Sequence, residues 1–172
     1  MLLFRIGLLG MLLWAAVASP VEPAHSAAPA GAPPAARQTE RQAIQELMSR
    51  FLTSFENLDM TAFVGCFADD ATVFFPSPEP PERFNGKDAI QVHFQKVFDA
   101  IRKGAAAGPP YHRLVPQDVD IQLLSADAAV VSFHLRNTER LARRTLVLKN
   151  VNGAWVIAHL HASNVILPSE TH

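Results

Sequence analysis

The sequence predicts an α+β fold in which three N-terminal helices pack on a curved antiparallel sheet. In the first half of the chain, apolar residues recur every three or four positions, which is typical of helices that bury one face. From about residue 111 onward, apolar and polar residues alternate, as they do in half-buried strands. Helices followed by a run of strands favour this fold class. A long curved meander with helices on one face makes a cone that encloses a pocket.

Residues 1–18 have the layout of a secretory signal peptide. A single positive charge, Arg5, precedes the apolar run 6–17, and Ala16-Val17-Ala18 has the small-residue pattern of a cleavage site. The run is shorter than the roughly 20 apolar residues that a membrane-spanning helix needs. We therefore expect a secreted or periplasmic protein with no mature transmembrane helix. An uncleaved N-terminal anchor is the alternative.

Residues 19–36 are predicted to be a disordered tether. They contain seven Ala and five Pro among 18 residues, and such a segment buries too little apolar surface to offset the entropy of ordering it. The folded domain is accordingly predicted to span residues 37–167.

Composition excludes some classes of partner and of chemistry. Removing Arg5 from the 15 basic side chains leaves 14 against 16 acidic ones, and no basic patch with interleaved aromatics indicates nucleic-acid binding. Cys66 is the only cysteine, so no internal disulfide can form. Its apolar neighbours predict a buried and unreactive thiol.

Three helices are predicted before the strands begin. The first spans 37–58, and Asp59 then caps a shorter helix that runs to Phe67 and ends at Asp69-Asp70. The third begins after Gly86 and closes at Gly104. The inward faces follow from the spacing: Ile44, Leu47, Met48, Phe51, Leu52, Phe55 and Leu58; then Phe63, Val64 and Phe67; then Ile90, Phe94, Val97, Phe98 and Ile101.

The strands are predicted from period-two alternation and from their turns. A short strand at 72–75 and a second one at 83–84 flank a Pro-rich loop. Four longer strands follow at 111–124, 128–138, 143–151 and 154–166, with 139–142 as a connection. Asn152-Gly153 is the strongest hairpin signal, because both central residues of a type I′ turn need positive φ.

The last strand carries two titratable rings in apolar company. Perfect alternation would put Trp155, Ile157, His159, His161 and Ser163 on one face. The opposite face, built from Val156 to Ala162, is also a credible core face, so the sequence leaves the inward face open. His159 and His161 are the best candidates for a catalytic role, because the histidine pKa lies near working pH. A satisfied structural pair or a subunit interface is the alternative.

No metal ion and no cofactor is predicted. Two histidines at i and i+2 would need a third ligand, and His134 or Asp120 would have to supply it without any ligand-spacing motif. The sequence also lacks the glycine-rich phosphate-binding motifs and the serine-hydrolase elbow.

A pocket inside the cone would have mainly aromatic walls and few polar groups. Arg144 alternates with Leu146 and Leu148, so it is a candidate to point into the cone and to bind an anion. The alternative places it in an exposed connection with Arg140 and Arg143. The predicted pocket-lining residues are Phe51, Phe55, Phe75, Phe84, Phe94, Phe98, Arg144, Trp155 and His161.

Three segments resemble the superfamily of nuclear transport factor 2, SnoaL-like proteins and ketosteroid isomerases, whose cone is cystatin-like. Residues 67–73 (FADDATV) look like its junction from helix to first strand, and residues 84–90 (FNGKDAI) look like its short strand and third-helix start. Residues 153–163 (GAWVIAHLHAS) are similar to the closing strand of SnoaL-like proteins. They are also similar to the association domain of calcium/calmodulin-dependent protein kinase II. The resemblance covers about residues 43–165.

This resemblance implies a homodimer packed through the sheets, with His134, Arg136 and Lys149 near the shared surface. It argues against isomerase chemistry. In ketosteroid isomerases the general base precedes a proline, and Phe75 occupies that position here before Pro76. The first helix also lacks the tyrosine that those isomerases use as an oxyanion donor.

Three functions remain open at this point. The most favoured is an exported SnoaL-like domain that binds a small apolar or mixed-polarity molecule in the cone. The second is a non-catalytic homodimerisation or interaction module. The third is a small enzyme of isomerase, cyclase or dehydratase type that uses a pocket histidine as acid or base.

Overall fold

The computed structural model describes residues 33–76 and 83–168. The predicted signal peptide, most of the predicted tether and the central part of the Pro-rich loop lie outside these ranges. No helix within them is long and apolar enough to cross a membrane. The described elements are α1 (Pro34–Glu56), α2 (Met60–Val64), β1 (Phe67–Phe74), β2 (Arg83–Asn85), α3 (Lys87–Gly104), β3 (Gln117–Leu123), β4 (Ala128–Arg136), β5 (Arg140–Val151) and β6 (Ala154–Ile166).

The predicted α+β architecture is confirmed: the helices pack on one face of a six-stranded sheet. The strand order is β2-β1-β6-β5-β4-β3. Strands β3 to β6 form the predicted antiparallel meander. The sheet as a whole is mixed, because β1 pairs with β6 in parallel and with β2 in antiparallel orientation. The first strand therefore lies beside the last one.

The helices differ from the prediction mainly at their ends. Helix α1 begins at Pro34, ahead of the predicted start, because proline suits the first turn, where its missing N–H leaves no bond unmade. The predicted cap on α2 is confirmed, since the side chain of Asp59 accepts a 3.0 Å hydrogen bond from the backbone N–H of Ala62. Helix α3 begins after Gly86, whose φ of 84° favours glycine.

The prediction that Asp69-Asp70 ends the second helix is wrong. Helix α2 stops at Val64, and both aspartates are exposed within β1, where the register against β6 shifts. Such a bulge lets two consecutive side chains leave the core. Lysines from other elements pair with them: Lys87 Nζ lies 2.7 Å from Asp69, and Lys149 Nζ lies 2.6 Å from Asp70.

Several predicted strand boundaries also change. The first strand spans Phe67–Phe74 instead of 72–75, and β4 ends at Arg136 instead of residue 138. Residues 111–116 are not a strand, because backbone and side-chain oxygens of Glu56 accept hydrogen bonds from the N–H groups of Tyr111 and Leu114. Strand β5 begins at Arg140, since the predicted connection pairs instead with the end of β6. The predicted hairpin turn is confirmed, with φ of 53° at Asn152 and 87° at Gly153.

The core between the helices and the sheet is dominated by phenylalanine. Phe63 is fully buried at its centre, with ring centroids 4.7 Å from Phe94 and 5.3 Å from Phe67. Cys66 is also fully buried, as predicted, and burial raises the pKa of its thiol. This keeps the thiol protonated and unreactive at neutral pH.

Candidate functional site

A cavity of about 160 Å³ lies between α1, α3 and the sheet. Helix α1 supplies residues one turn apart, and β4 supplies two alternate residues, so each element contributes the face that its period turns inward. Its walls are formed by Phe51, Leu52, Phe55, Phe75, Phe94, His112, Leu114, Phe133, Leu135, Arg144 and Leu160.

Arg144 provides the permanent charge in this wall. It lies on the helix-facing side of β5 with Leu146 and Leu148, which is one of the two positions that the sequence left open, while Arg143 is exposed on the other side. Nη1 of Arg144 donates to the backbone oxygen of Arg143 at 2.8 Å and to that of Ser163 at 3.2 Å. Burial lowers the pKa of Arg144 to about 10, so the guanidinium stays charged at neutral pH.

The other polar wall residue, His112, comes from the segment that precedes β3. Glu56 holds this segment against the end of α1, with its Oε1 accepting a 2.6 Å hydrogen bond from the Leu114 N–H. His112 is exposed, whereas Leu114 is half-buried. The segment therefore adds one apolar and one polar side chain to the cavity.

The structure brings five of the predicted pocket residues together at this cavity: Phe51, Phe55, Phe75, Phe94 and Arg144. The other four lie elsewhere. Phe98 is buried against Phe63, and Phe84 stacks on His93 with ring centroids 4.0 Å apart. Whether the five residues form a ligand site stays a prediction.

Trp155 serves as an anchor for helix α1. Its indole Nε1 donates a 2.6 Å hydrogen bond to Oε2 of Glu40, near the start of that helix, and the side chain is buried. A buried indole N–H needs such a partner. Trp155 thus joins the last strand to the first helix, away from the cavity.

A β-bulge in β6 corrects the expectation that Trp155, Ile157, His159, His161 and Ser163 share one face. Leu148 pairs with Ile157, and the adjacent Val147 pairs with His159, so Ala158 is the extra residue. An extra residue reverses the facing of everything that follows it. Beyond the bulge, Leu160 and Ala162 are buried on the helix side, and His159 and His161 lie on the opposite, outer face.

On the outer face the two histidines flank Phe74, with ring centroids 5.6 Å and 5.9 Å away. Nδ1 of His159 lies 2.7 Å from the Thr72 hydroxyl, within hydrogen-bond distance. Burial, followed by the positive charges of His161 and Arg83, lowers the pKa of His159. The two residues therefore do not line the cavity, and a catalytic role for either stays a prediction.

Sequence reasoning missed six wall residues: Leu52, His112, Leu114, Phe133, Leu135 and Leu160. The helical spacing did include Leu52 in the inward face of the first helix. Leu160 was missed because the bulge in β6 reverses the face on which it lies. No local signal marks His112, because its position depends on hydrogen bonds between Glu56 and a distant part of the chain.

The described part of the chain contains no group of three or more His, Cys, Asp and Glu side chains that could hold a metal ion. His134, considered above as a third ligand, lies instead with Nδ1 3.3 Å from Asp118 at the outer face.

Comparison with known proteins identifies a family and several structures with the same fold. Residues 44–168 match the family described as SnoaL-like domain. No curated protein matches the chain. An NTF2-like protein of unknown function from Pseudomonas putida KT2440 superposes with a TM-score of 0.61 at 19% identity, covering 73% of this chain and 87% of that one.

Two further solved structures give the same result. A cystatin-like protein of unknown function from Nostoc punctiforme PCC 73102 has a TM-score of 0.55 at 20% identity, covering 76% of this chain and 93% of that one. A proposed scytalone dehydratase from Novosphingobium aromaticivorans DSM 12444 has a TM-score of 0.58 at 16% identity, covering 80% of this chain and 91% of that one. At such identities the likeness establishes the fold alone.

Proposed function

The chain belongs to the SnoaL-like domain family, and from that premise we propose that it binds a small organic molecule in the cavity between its helices and its sheet. The observation that carries this proposal is the composition of the cavity wall. Nine apolar side chains surround the space, and Arg144 and His112 are its polar members. Apolar walls with a few placed polar groups are the usual make-up of a small-molecule site.

The volume limits the size of the ligand. The space measures about 160 Å³. An engineered apolar cavity of roughly 150 Å³ binds benzene. We therefore propose a ligand with one ring or a short alkyl chain.

Native mass spectrometry of the mature protein, purified without stripping, tests the proposal. A discrete extra mass on the wild-type protein is expected. Leu160→Phe places a larger side chain in the cavity and should abolish that mass, because the ligand and the new ring compete for one space. Leu124→Phe makes the same chemical change at an exposed position and should retain it.

Either of two results would contradict binding in the cavity. One is an extra mass that survives Leu160→Phe, since the molecule would then be bound elsewhere. The other is a wild-type protein that carries no mass and shows no shift in melting temperature with single-ring compounds at millimolar concentration.

We also propose that the protein forms a homodimer through the outer face of the sheet. The helices cover only the other face, and on the outer face the half-buried Val130 and Val147 lie side by side on adjacent strands. His159 pairs with Val147 on its other side and separates it from the exposed ring of Phe74. Apolar surface of this kind is typical of interfaces.

Light scattering after gel filtration tests this second proposal. The wild-type protein should have twice the monomer mass, and Val147→Glu should convert it to a monomer. Val92→Glu, on the exposed side of α3, should leave the dimer intact. A monomeric wild-type protein would contradict the proposed interface.

Export is the third proposal, and it follows from the layout of residues 1–18. Expression of the full chain in a bacterial host should yield a periplasmic or secreted form whose intact mass lacks the signal. An unprocessed chain in the cytoplasmic fraction would contradict this proposal.

A further inference from the structure

Arg144 holds a positive charge at the cavity for which the described part of the chain supplies no counter-charge. The ion pairs found in residues 33–76 and 83–168 all involve other side chains. The nearest hydrogen-bond partners of Arg144 are two backbone oxygens. A largely buried cation is costly to desolvate unless an anion pairs with it. The charge therefore favours a ligand that brings its own negative group.

Among the described residues, the hydrogen bonds of Arg144 use only one nitrogen of its guanidinium, Nη1. Nη1 donates to two backbone oxygens, those of Arg143 and Ser163. Within the described residues, Nε and Nη2 donate to no protein group. These two nitrogens form the fork that binds the two oxygens of a carboxylate in parallel. The two backbone bonds also hold the side chain in place before any ligand arrives.

The rest of the wall fits an uncharged body. Rings of Phe51, Phe55, Phe75, Phe94 and Phe133 surround the space, and aromatic edges pack well against another ring or an alkyl chain. His112 is the remaining polar wall residue, and it is exposed to solvent. One anionic end and one apolar end therefore have separate places in the cavity.

We propose that the ligand is a small monocarboxylate, with its carboxylate paired to Nε and Nη2 of Arg144 and its ring or alkyl body among the phenylalanines. This inference rests on the proposed function and adds the charge and polarity of the ligand. A carboxylate that binds in this way completes an ion pair for which residues 33–76 and 83–168 supply no negative partner.

Isothermal titration calorimetry with 3-phenylpropanoate and its neutral analogue 3-phenylpropanamide tests the inference. The two probes share size and ring, so the difference in their affinities reports the charge. Wild-type protein should bind the acid at least about tenfold more tightly than the amide, since a hydrogen-bonded charge pair contributes more than its neutral counterpart. Arg144→Met should bind both probes with equal affinity.

Two further variants separate the geometry of the fork from net charge. Arg144→Lys keeps the charge without the fork and should lose most of the preference for the acid. Arg143→Met removes a neighbouring charge from the exposed side of the same strand and should keep that preference in full. Circular dichroism confirms that each variant is folded before titration.

The outcomes distinguish this inference from the proposed function. If wild-type protein binds acid and amide equally, and Leu160→Phe abolishes both, the cavity binds ligands but the carboxylate inference is wrong. If Arg143→Met weakens acid binding as much as Arg144→Met does, the acid responds to surface charge and the inference is also wrong. If neither probe binds the wild-type protein, the carboxylate inference is wrong, and the proposed function is contradicted as well only if the protein also carries no extra mass and responds to no other single-ring compound.

Discussion

The layer between the helices and the sheet has two ends that are built from the same residue types and packed differently. At the packed end, Phe63 is fully buried and is enclosed by the rings of Phe67, Phe94 and Phe98. At the cavity end, Phe133 and Leu160 face an open space beside Arg144. The difference shows that apolar composition alone does not fill a core.

This contrast separates stability from function within one layer. Interiors are packed to the density of organic crystals, so the packed end should respond to every lost or added methyl group. The cavity end already lacks neighbours on one side, so it should tolerate changes that the packed end does not. Each prediction below tests that asymmetry.

The largest effect should come from Phe63→Ala. Deleting a ring that is fully enclosed by other rings leaves a cavity that its neighbours cannot fill, and we expect a loss of about 3–5 kcal/mol in the free energy of unfolding. Urea denaturation followed by circular dichroism measures this loss.

Phe55→Ala is the matched control at the cavity end. Phe55 contacts Phe63 and also lines the cavity, and it is only half-buried. The same deletion should cost distinctly less than Phe63→Ala, because part of its surroundings is already empty. Equal losses would show that the two ends are packed alike and would remove the comparison.

A smaller loss of stability should follow when a buried side chain is enlarged instead of truncated. Leu146 and Leu160 are direct cross-strand partners on the same face of the sheet, but only Leu160 lines the cavity. Leu146→Phe should lower the free energy of unfolding by about 1–3 kcal/mol, because it overpacks a filled region. Leu160→Phe should be close to neutral, since its extra volume enters empty space.

Thermal melts of the two leucine variants, together with the ligand-binding data, test whether the cavity is open in solution. A Leu160→Phe protein that is stable but no longer binds ligand would show that the space is kept open at no benefit to stability. A Leu160→Phe protein as destabilised as Leu146→Phe would mean that the cavity closes in solution.

Much of this layer could be predicted because it follows from local periodicity. The spacing of Ile90, Phe94 and Phe98 gave the buried face of α3, and alternation of Arg144 with Leu146 and Leu148 made the cavity side one of two candidate positions for the guanidinium. Both inferences depend only on residues a few positions apart. Periodicity over so few positions is the primary signal of secondary structure in a sequence.

The parts that could not be predicted depend on long-range pairing. Nothing in the sequence around Ala158 marks a bulge, because the bulge exists only relative to β5, and it moves His159 and His161 to the outer face. His112 also depends on long-range contacts. Its neighbours Tyr111 and Leu114 donate backbone hydrogen bonds to Glu56 of α1, and these bonds hold His112 at the cavity. These two tertiary events determined which residues could form the site.

The smallest predicted effect concerns His93, where the two ends meet. Its ring stacks on Phe84 and lies 5.2 Å from Phe75 of the cavity wall and 5.3 Å from Phe94, which contacts both ends. Nε2 is buried and has no hydrogen-bond partner among the described residues. Burial, followed by the charge of Lys96, lowers the pKa of His93 below 6.5.

Because the pKa is lower in the folded state, the unfolded chain takes up the proton first as the pH falls. Stability should therefore be fully present above about pH 6.5 and decline as the pH falls through the lowered value. His159 shifts in the same direction and adds to the slope. Urea midpoints measured between pH 7.5 and 5 should fall for the wild-type protein, and less steeply for His93→Phe. A slope that is unchanged by His93→Phe but removed by His159→Gln would assign the pH dependence to the outer face, and the aromatic layer would then be insensitive to pH at both of its ends.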